Sequence, residues 1–270
     1  MNEQAAAGRS RAEGEVPADI VVRHCNTMED YQKCVELEFL TWGEDITVPT
    51  AIFVVAHHSG GQVLGAFEGE KMVGFTQALV GNRKGTPYLH SHMTAVRPEY
   101  RDRGVGRRLK LFQREDALKK GIRLVEWTFD PLEIKNARFN FVRLGAVARR
   151  FIPNCYGITE SPLHAGLPTD RLVAEWWLDS DRVKRIVANE LPRISEKAVR
   201  VSLPAEVGKI KAEDRTAGAR IQTELREQFQ RLFAQGYVAT TFEFSEEAVD
   251  YILEPAEAIA GLLLPKADAP

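Results

Sequence analysis

Arg101-Asp102-Arg103-Gly104-Val105-Gly106 sets charge and two glycines where a strand-like run gives way to a helix-like one. That combination suits an anion. The first N–H groups of a helix have no intrahelical acceptor. Glycine lets the backbone come close to a bulky group, and the helix N-terminus carries partial positive charge. Backbone alone can hold a pyrophosphate there, with Arg101 and Arg103 adding charge-assisted contacts. Two rival glycine motifs are excluded. A dinucleotide fingerprint needs glycine where Leu109 stands, and no Gly-Lys-Ser/Thr of a Walker A loop occurs. His90, His92 and Glu126 form a second group, of the types that move protons. Alternation puts His90 and His92 on one face of a strand. Asp130, before Pro131, reads as a turn residue.

These residues need elements to position them. Tyr88–Val96 alternates between Gly85/Pro87 and Pro98 and reads as a strand. Val105, Leu109, Phe112 and Leu118 then line one helical face, with Lys119, Lys120 and Gly121 as a stop signal. Ile122–Phe129 reads as the next strand. Upstream, Ile20–His24 is a strand and Thr27 caps a helix from Met28. Pro49 opens a second helix reaching Ala56. A hairpin joins Val63–Phe67 to Met72–Leu79 through Glu68-Gly69-Glu70-Lys71. Downstream, Arg200–Leu203 and Val238–Phe242 read as strands. Between them Ile221, Leu225, Phe229, Leu232 and Phe233 mark an amphipathic helix ending at Gly236.

The Arg-x-x-Gly-x-Gly run, with Asn136-Ala137-Arg138-Phe139-Asn140-Phe141-Val142-Arg143-Leu144-Gly145-Ala146 downstream, resembles the acyl-CoA N-acyltransferases of the GNAT superfamily. The resemblance covers about Ile20 to Leu178. Gly166–Arg171 with Glu175-Trp176-Trp177-Leu178 is similar to a branch of bacterial predicted acetyltransferases, some of them resembling partners of N-acylamino-acid metabolism. The implied fold is α/β (α+β): a mixed, mostly antiparallel central sheet flanked by helices, here with a C-terminal strand–helix–strand appendage. The implied co-substrate is acetyl-CoA or another acyl-CoA such as succinyl-CoA, and the acceptor a small-molecule amine, an amino acid among the candidates. Transfer would be direct, without a covalent enzyme intermediate.

By the same resemblance, the backbone of Thr94, Ala95 and Val96 meets the pantetheine arm. Arg101, Asp102, Arg103, Gly104, Val105, Gly106 and Arg107 cradle the pyrophosphate. His92 or Glu126 serves as the base that frees the amine, with His90 toward the substrate. Asn136 contacts the CoA chain or caps its helix. Phe141 stands where many relatives carry a tyrosine acid, and would pack on the pantetheine arm. Its lack of a proton keeps a second reading open, a non-catalytic acyl-CoA-binding sensor or scaffold. Arg171 either clamps an acceptor carboxylate or pairs with Asp170 or Glu175. Trp176 and Trp177 read as core or edge-strand aromatics.

The 270 residues, 44% hydrophobic and 27% charged, can bury a sizeable core in one or two domains. The expected organisation is a disordered lead over 1–18, an acyltransferase core over 19–180, an appendage packed on it over 181–264, and a tail over 265–270. A net charge of −2 and a pI near 6.3 argue against a nucleic-acid binder. No apolar run nears the roughly 20 residues of a membrane span, and residues 1–15 lack a signal-peptide core. Cys25, Cys34 and Cys155 have no metal spacing and cannot all pair, so a reduced, cytoplasmic protein without a metal is expected, each cysteine a small hydrophobe. A homodimer is left open.

Overall fold

The hairpin across Glu68–Lys71 starts a sheet that runs through almost the whole chain. The computed structural model describes residues 19–263 apart from 44–46, 159–165, 191 and 246–247. The expected lead over 1–18 and tail over 265–270 lie outside the described residues. The strands are β1 (Ile20–His24), β2 (Gln62–Glu68), β3 (Lys71–Arg83), β4 (Thr86–Val96), β5 (Leu124–Phe129), β6 (Val147–Ile152), β7 (Arg171–Trp177), β8 (Val199–Pro204), β9 (Tyr237–Phe244) and β10 (Ala248–Pro255). They form one sheet in the order β1-β2-β3-β4-β5-β7-β6-β9-β10-β8. Every pairing is antiparallel except β4 with β5.

Helices cover both faces. The first, α1 (Met28–Trp42), starts where the Thr27 side chain accepts the Asp30 N–H. Next, α2 (Thr50–His58) has Pro49 as its cap, one place before the expected first turn. Then come α3 (Val105–Lys119), stopped by left-handed Gly121, and α4 (Ile134–Arg138), which runs into a π-helical turn, Phe139–Arg143. The chain continues with α5 (Asp181–Val187), α6 (Val207–Glu213), α7 (Arg215–Ala234) and α8 (Ala256–Leu263). Val63 and Leu64, consecutive on β2, enter different clusters: Val63 with Tyr31, Phe53 and Phe75, Leu64 with Val105 and Leu109. Side-chain alternation therefore puts α1 and α2 on one face and α3 on the other.

The largest cluster joins Trp127, Phe129, Phe141 and Leu144 to Leu203, Leu225, Phe229 and Tyr251. Each fully buried phenylalanine there contributes about 1.5–3 kcal/mol. Beyond the expected strand–helix–strand, β10 pairs with both β8 and β9. Its Tyr251, Ile252, Leu253 and Glu254 are all buried, and a strand buried on both faces loses the alternation that marks it in a sequence. Cys25 and Cys34 are buried free thiols, as expected of small hydrophobes. Among the described residues no helix is long and apolar enough to cross a membrane.

Candidate functional site

The sheet opens where its one parallel pairing ends. Strands β4 and β5 pair only at Leu89 with Val125 and at His90 with Glu126. Past His90, β4 continues along β3 alone, so its backbone on the β5 side borders an open seam, an unpaired strand edge. A bulge sits at the start of that stretch. Gln77 pairs with Met93 and Ala78 with Ser91, leaving His92 as the extra residue. Thr94, Ala95 and Val96 follow along the seam.

The glycine loop closes the seam's far end. After Val96 the chain passes a short 3-10 turn, Pro98–Tyr100, then takes left-handed backbone at Asp102 (φ 59°) and Gly104 (φ 77°). Gly104 is the cap of α3, and no side chain bonds the helix end. The Arg108 N–H donates to the Gly104 carbonyl. The N–H groups of Val105, Gly106 and Arg107 precede that first bond of the ladder. A Cβ on Gly106 would lie 3.8 Å from Val96 Cγ2 and 3.9 Å from Phe139 Cζ. Loop, end of β4 and start of the π-turn are thus neighbours.

Arg101 and Arg103 are exposed at this loop. Arg101 Nε donates to the Val96 carbonyl at 3.0 Å, and the Arg103 guanidinium lies over the Tyr100 ring. Arg107 turns elsewhere: its Nη2 donates to the Val187 carbonyl and ties α3 to α5. Lys135 reaches across to Asp102 at 3.6 Å. Asn136 is exposed, and since Glu133 holds the cap position of α4, the capping reading of Asn136 falls. Phe141 departs furthest from expectation. It is fully buried, packed edge-on to Phe129 and Tyr251, and so is core rather than seam. The physical reason is the π-turn, whose extra residue shifts the register of the side chains that follow. Phe139 takes the place beside the loop.

On the other side of the seam are the titratable groups. His90 and His92 do share a face, ring centres 6.2 Å apart. Burial lowers the pKa of both, His90 further by the nearby His92, so both imidazoles are neutral near pH 7. Glu126, expected as a base, is buried with both oxygens ion-paired: Oε2 to Arg83 Nη2 and Oε1 to Arg150 Nη2, each at 2.6 Å. Each of its two oxygens thus accepts from a guanidinium N–H. Arg171 is only 8% exposed; its Nη1 donates to the Asp170 carbonyl and its guanidinium lies 5.4 Å from the Tyr156 ring centre. Asp170 pairs with Arg226, and Glu175 with Arg149 and Arg150.

Two buried groups went unread in the sequence. Lys110 of α3 reaches under the seam, Nζ donating to Ser91 Oγ at 2.7 Å and Gln113 Oε1 at 3.0 Å, and lies 4.4 Å from the Trp127 ring centre. Burial lowers its pKa to about 7. Glu38 of α1 is buried, among the described residues only the Val48 N–H donates to it, and burial raises its pKa to about 7. Lys110 stands one turn before Gln113 and Arg114, among polar neighbours, whereas Glu38 recurs with Tyr31 and Cys34 on the buried face of α1, an acid among apolar residues.

Residues 24–143 match the family described as the acetyltransferase (GNAT) family. No curated protein sequence matches this chain. Among solved structures, the chain is similar to smu.2055 from Streptococcus mutans (18% identity, TM-score 0.49, covering 59% of this chain and 99% of that one). It is also similar to Arabidopsis thaliana Naa50 in complex with a bisubstrate analogue (14%, TM-score 0.48, 58% and 98%). A third is the ribosomal-protein-S18-alanine N-acetyltransferase from Escherichia coli (15%, TM-score 0.46, 58% and 92%).

Proposed function

We propose, from the match of residues 24–143 to the acetyltransferase (GNAT) family, that the protein is an N-acyltransferase moving an acyl group from acyl-CoA to a small amine. One observation carries the reading: the uncapped start of α3, with Gly104 and Gly106, adjoins the open seam between β4 and β5. The CoA pyrophosphate sits on the N–H groups of Val105, Gly106 and Arg107, with Arg101 and Arg103 at its edge. The pantetheine arm lies along Thr94, Ala95 and Val96, using backbone groups that β5 has released. Asn136 and Phe139 border the same path. The thioester then reaches the bulge at His92.

There His92, with His90 behind it, takes a proton from the ammonium form of the acceptor. Both imidazoles are held neutral, the form a base requires. The amine lone pair attacks the thioester carbon, the C–S bond breaks, the acyl group passes directly to nitrogen, and the nitrogen gives its remaining extra proton to water to become an amide. The departing thiolate belongs to a thiol of pKa about 8.5 and takes its proton from water. Glu126 holds Arg83 and Arg150 in place. The arrangement 19–180 as acyltransferase core and 181–264 packed against it accords with β9 joining the sheet at β6.

Calorimetric titration with CoA, followed by thiol release with acetyl- and succinyl-CoA across a panel of amines and amino acids, tests this. Binding with amine-dependent thiol release is expected. No CoA binding overturns the reading. CoA binding without thiol release would establish the sensor reading, which the sealed Phe141 and the ion-paired Glu126 favour.

A further inference from the structure

Beside His90 lies a cationic cavity that the acyl-transfer reading leaves unused. It measures about 570 Å³ and is lined by Arg83, Arg149, Arg150, Glu175 and Trp177, with Ala256 and Ala260 of α8 as its far wall. A local irregularity of β6 helps to build it. Arg149 and Arg150 are consecutive on β6 and should point to opposite faces. Between Ala148 and Phe151, however, β6 advances three residues while β7 advances two, and the bulge turns both guanidiniums onto Glu175. Arg83 arrives from the end of β3, its guanidinium over the Tyr88 ring and Nη2 on Glu126. Ala256 and Ala260 are one helical turn apart on α8 and keep that wall small and apolar.

The charges do not balance. Three guanidiniums meet two carboxylates, Glu126 and Glu175. Both carboxylates are buried at 4% side-chain exposure, while Arg83, Arg149 and Arg150 stay 40–42% exposed. The acids therefore anchor the arginines from below, and the guanidinium heads face the cavity. Each guanidinium has five N–H donors. Arg83 spends one, Nη2, on Glu126, and Arg150 spends Nε and Nη2. Donors remain for an anionic guest, and a planar guanidinium matches a carboxylate in two-point contact. The Trp177 ring and the two alanines offer apolar contact to a short hydrocarbon stem. Glu126, which anchors Arg83 and Arg150, is the register partner of His90 at the last paired rung before the seam, and the His90 ring centre lies 6.2 Å from that of His92, the proposed base.

We propose that this cavity binds a carboxylate of the reactants, carried on the acceptor amine or on the distal end of the acyl group. The proposal rests on the acyl-transfer reading for its purpose, not for its test. Glutarate, a dicarboxylate with a short apolar stem, is titrated into the full chain by calorimetry, with CoA titrated in parallel. Saturable glutarate binding is expected in the parent, weakened at least tenfold in Arg83→Gln and kept in Arg200→Gln, a distant exposed arginine on β8. Arg83→Lys, which keeps the charge and loses the fork, should fall between. Loss of CoA binding would strike the acyl-transfer reading. CoA binding without glutarate binding, or equal glutarate affinity in Arg83→Gln, overturns this proposal alone.

Turnover arms identify the source. With acetyl-CoA, Arg83→Gln raising KM for glutamate at least fivefold, and not for ethanolamine, places the carboxylate on the acceptor. With ethanolamine as acceptor, Arg83→Gln raising KM for succinyl-CoA and not for acetyl-CoA places it on the acyl group. Unchanged KM in both arms overturns the proposal.

Discussion

The two sides of the seam are built from different material. The loop side is backbone: uncapped N–H groups at the start of α3, two glycines and the released edge of β4. The arginine side is side chains: Arg83, Arg149 and Arg150 from two strands, fixed by Glu126 and Glu175 from two others. A backbone site needs a few consecutive residues to set dihedral angles, so it is compact in sequence. A side-chain site draws its members from wherever the sheet brings strands together. The first kind recognises a shared cofactor; the second is free to vary with the substrate.

Phe141 and the seam provide the sharpest break between core and site. Phe141→Ala should cost about 3–5 kcal/mol of stability, the range for emptying a buried phenylalanine site, and leave the acyl-CoA KM within twofold. Urea unfolding and steady-state kinetics decide it. A small stability loss with a raised acyl-CoA KM would return Phe141 to the seam and redraw the boundary between core and cofactor path. Phe141→Tyr should also destabilise, because its hydroxyl enters an apolar cluster.

His92 stands where the two sides meet. His92→Ala should lower kcat about a hundredfold, with His90→Ala weaker because His90 sits further back along the strand. The acidic limb of the parent's pH–rate profile should lie below the usual histidine value, since burial lowers both imidazoles. An unchanged kcat and profile in both variants would move the base elsewhere, with Glu38 the next group to test.

The glycine loop tests whether its side is truly backbone-built. Gly106→Val should weaken CoA at least tenfold, about 1.4 kcal/mol, with little loss of stability. The protein itself offers a Cβ there only ordinary contacts, so any large loss of binding reports on the ligand. Gly104 is the poorer probe. Its φ of 77° strains any side chain, so Gly104→Val mixes a folding defect with a binding one. Equal CoA affinity in folded Gly106→Val would mean the pyrophosphate lies elsewhere.

Much of the framework could be read from the chain because its signals are local. Thr27 caps α1, Gly121 ends α3, and the Glu68–Lys71 turn closes a hairpin, each within a few residues. Strand β10 was missed because four successive buried residues erase the alternation. The arginine cavity was missed for a different reason. Its parts are separated by up to about two-thirds of the chain, and a bulge defeats the rule that neighbours on a strand face apart. His90 and His92 were placed on one face by alternation, and they share it even though β4 bulges between them and their neighbours. Glu126 could be read as a position but its pairing with Arg83 and Arg150 could not, since a sequence does not show which arginines reach a carboxylate.

Lys110 links the two sides and gives the smallest predicted effect. It belongs to α3, the helix that carries the loop, yet its ammonium lies beneath the seam against Ser91, Gln113 and Trp127. Its hydrogen-bond acceptors are a hydroxyl and an amide, neither charged, so burial is uncompensated and lowers the pKa from 10.5 to about 7. Below pH 7 both folded and unfolded chains hold the proton, and the folded state bears the full cost of a buried charge. Between 7 and 10.5 the folded protein releases the proton and the unfolded chain keeps it. Unfolding free energy must then rise with pH, because the unfolded state binds more protons. From pH 7 to 8 the gain is about 1 kcal/mol for one such group. Lys110→Met, similar in length and without a charge, should flatten that slope. Urea midpoints at pH 6.5, 7.5 and 8.5 measure it, with the slope of the transition checked for constancy. A parent whose midpoint is level across this window would show that Lys110 keeps its proton through a route to water along the seam. That outcome would join the two sides into one wet cleft, and the contrast between them would be one of composition alone.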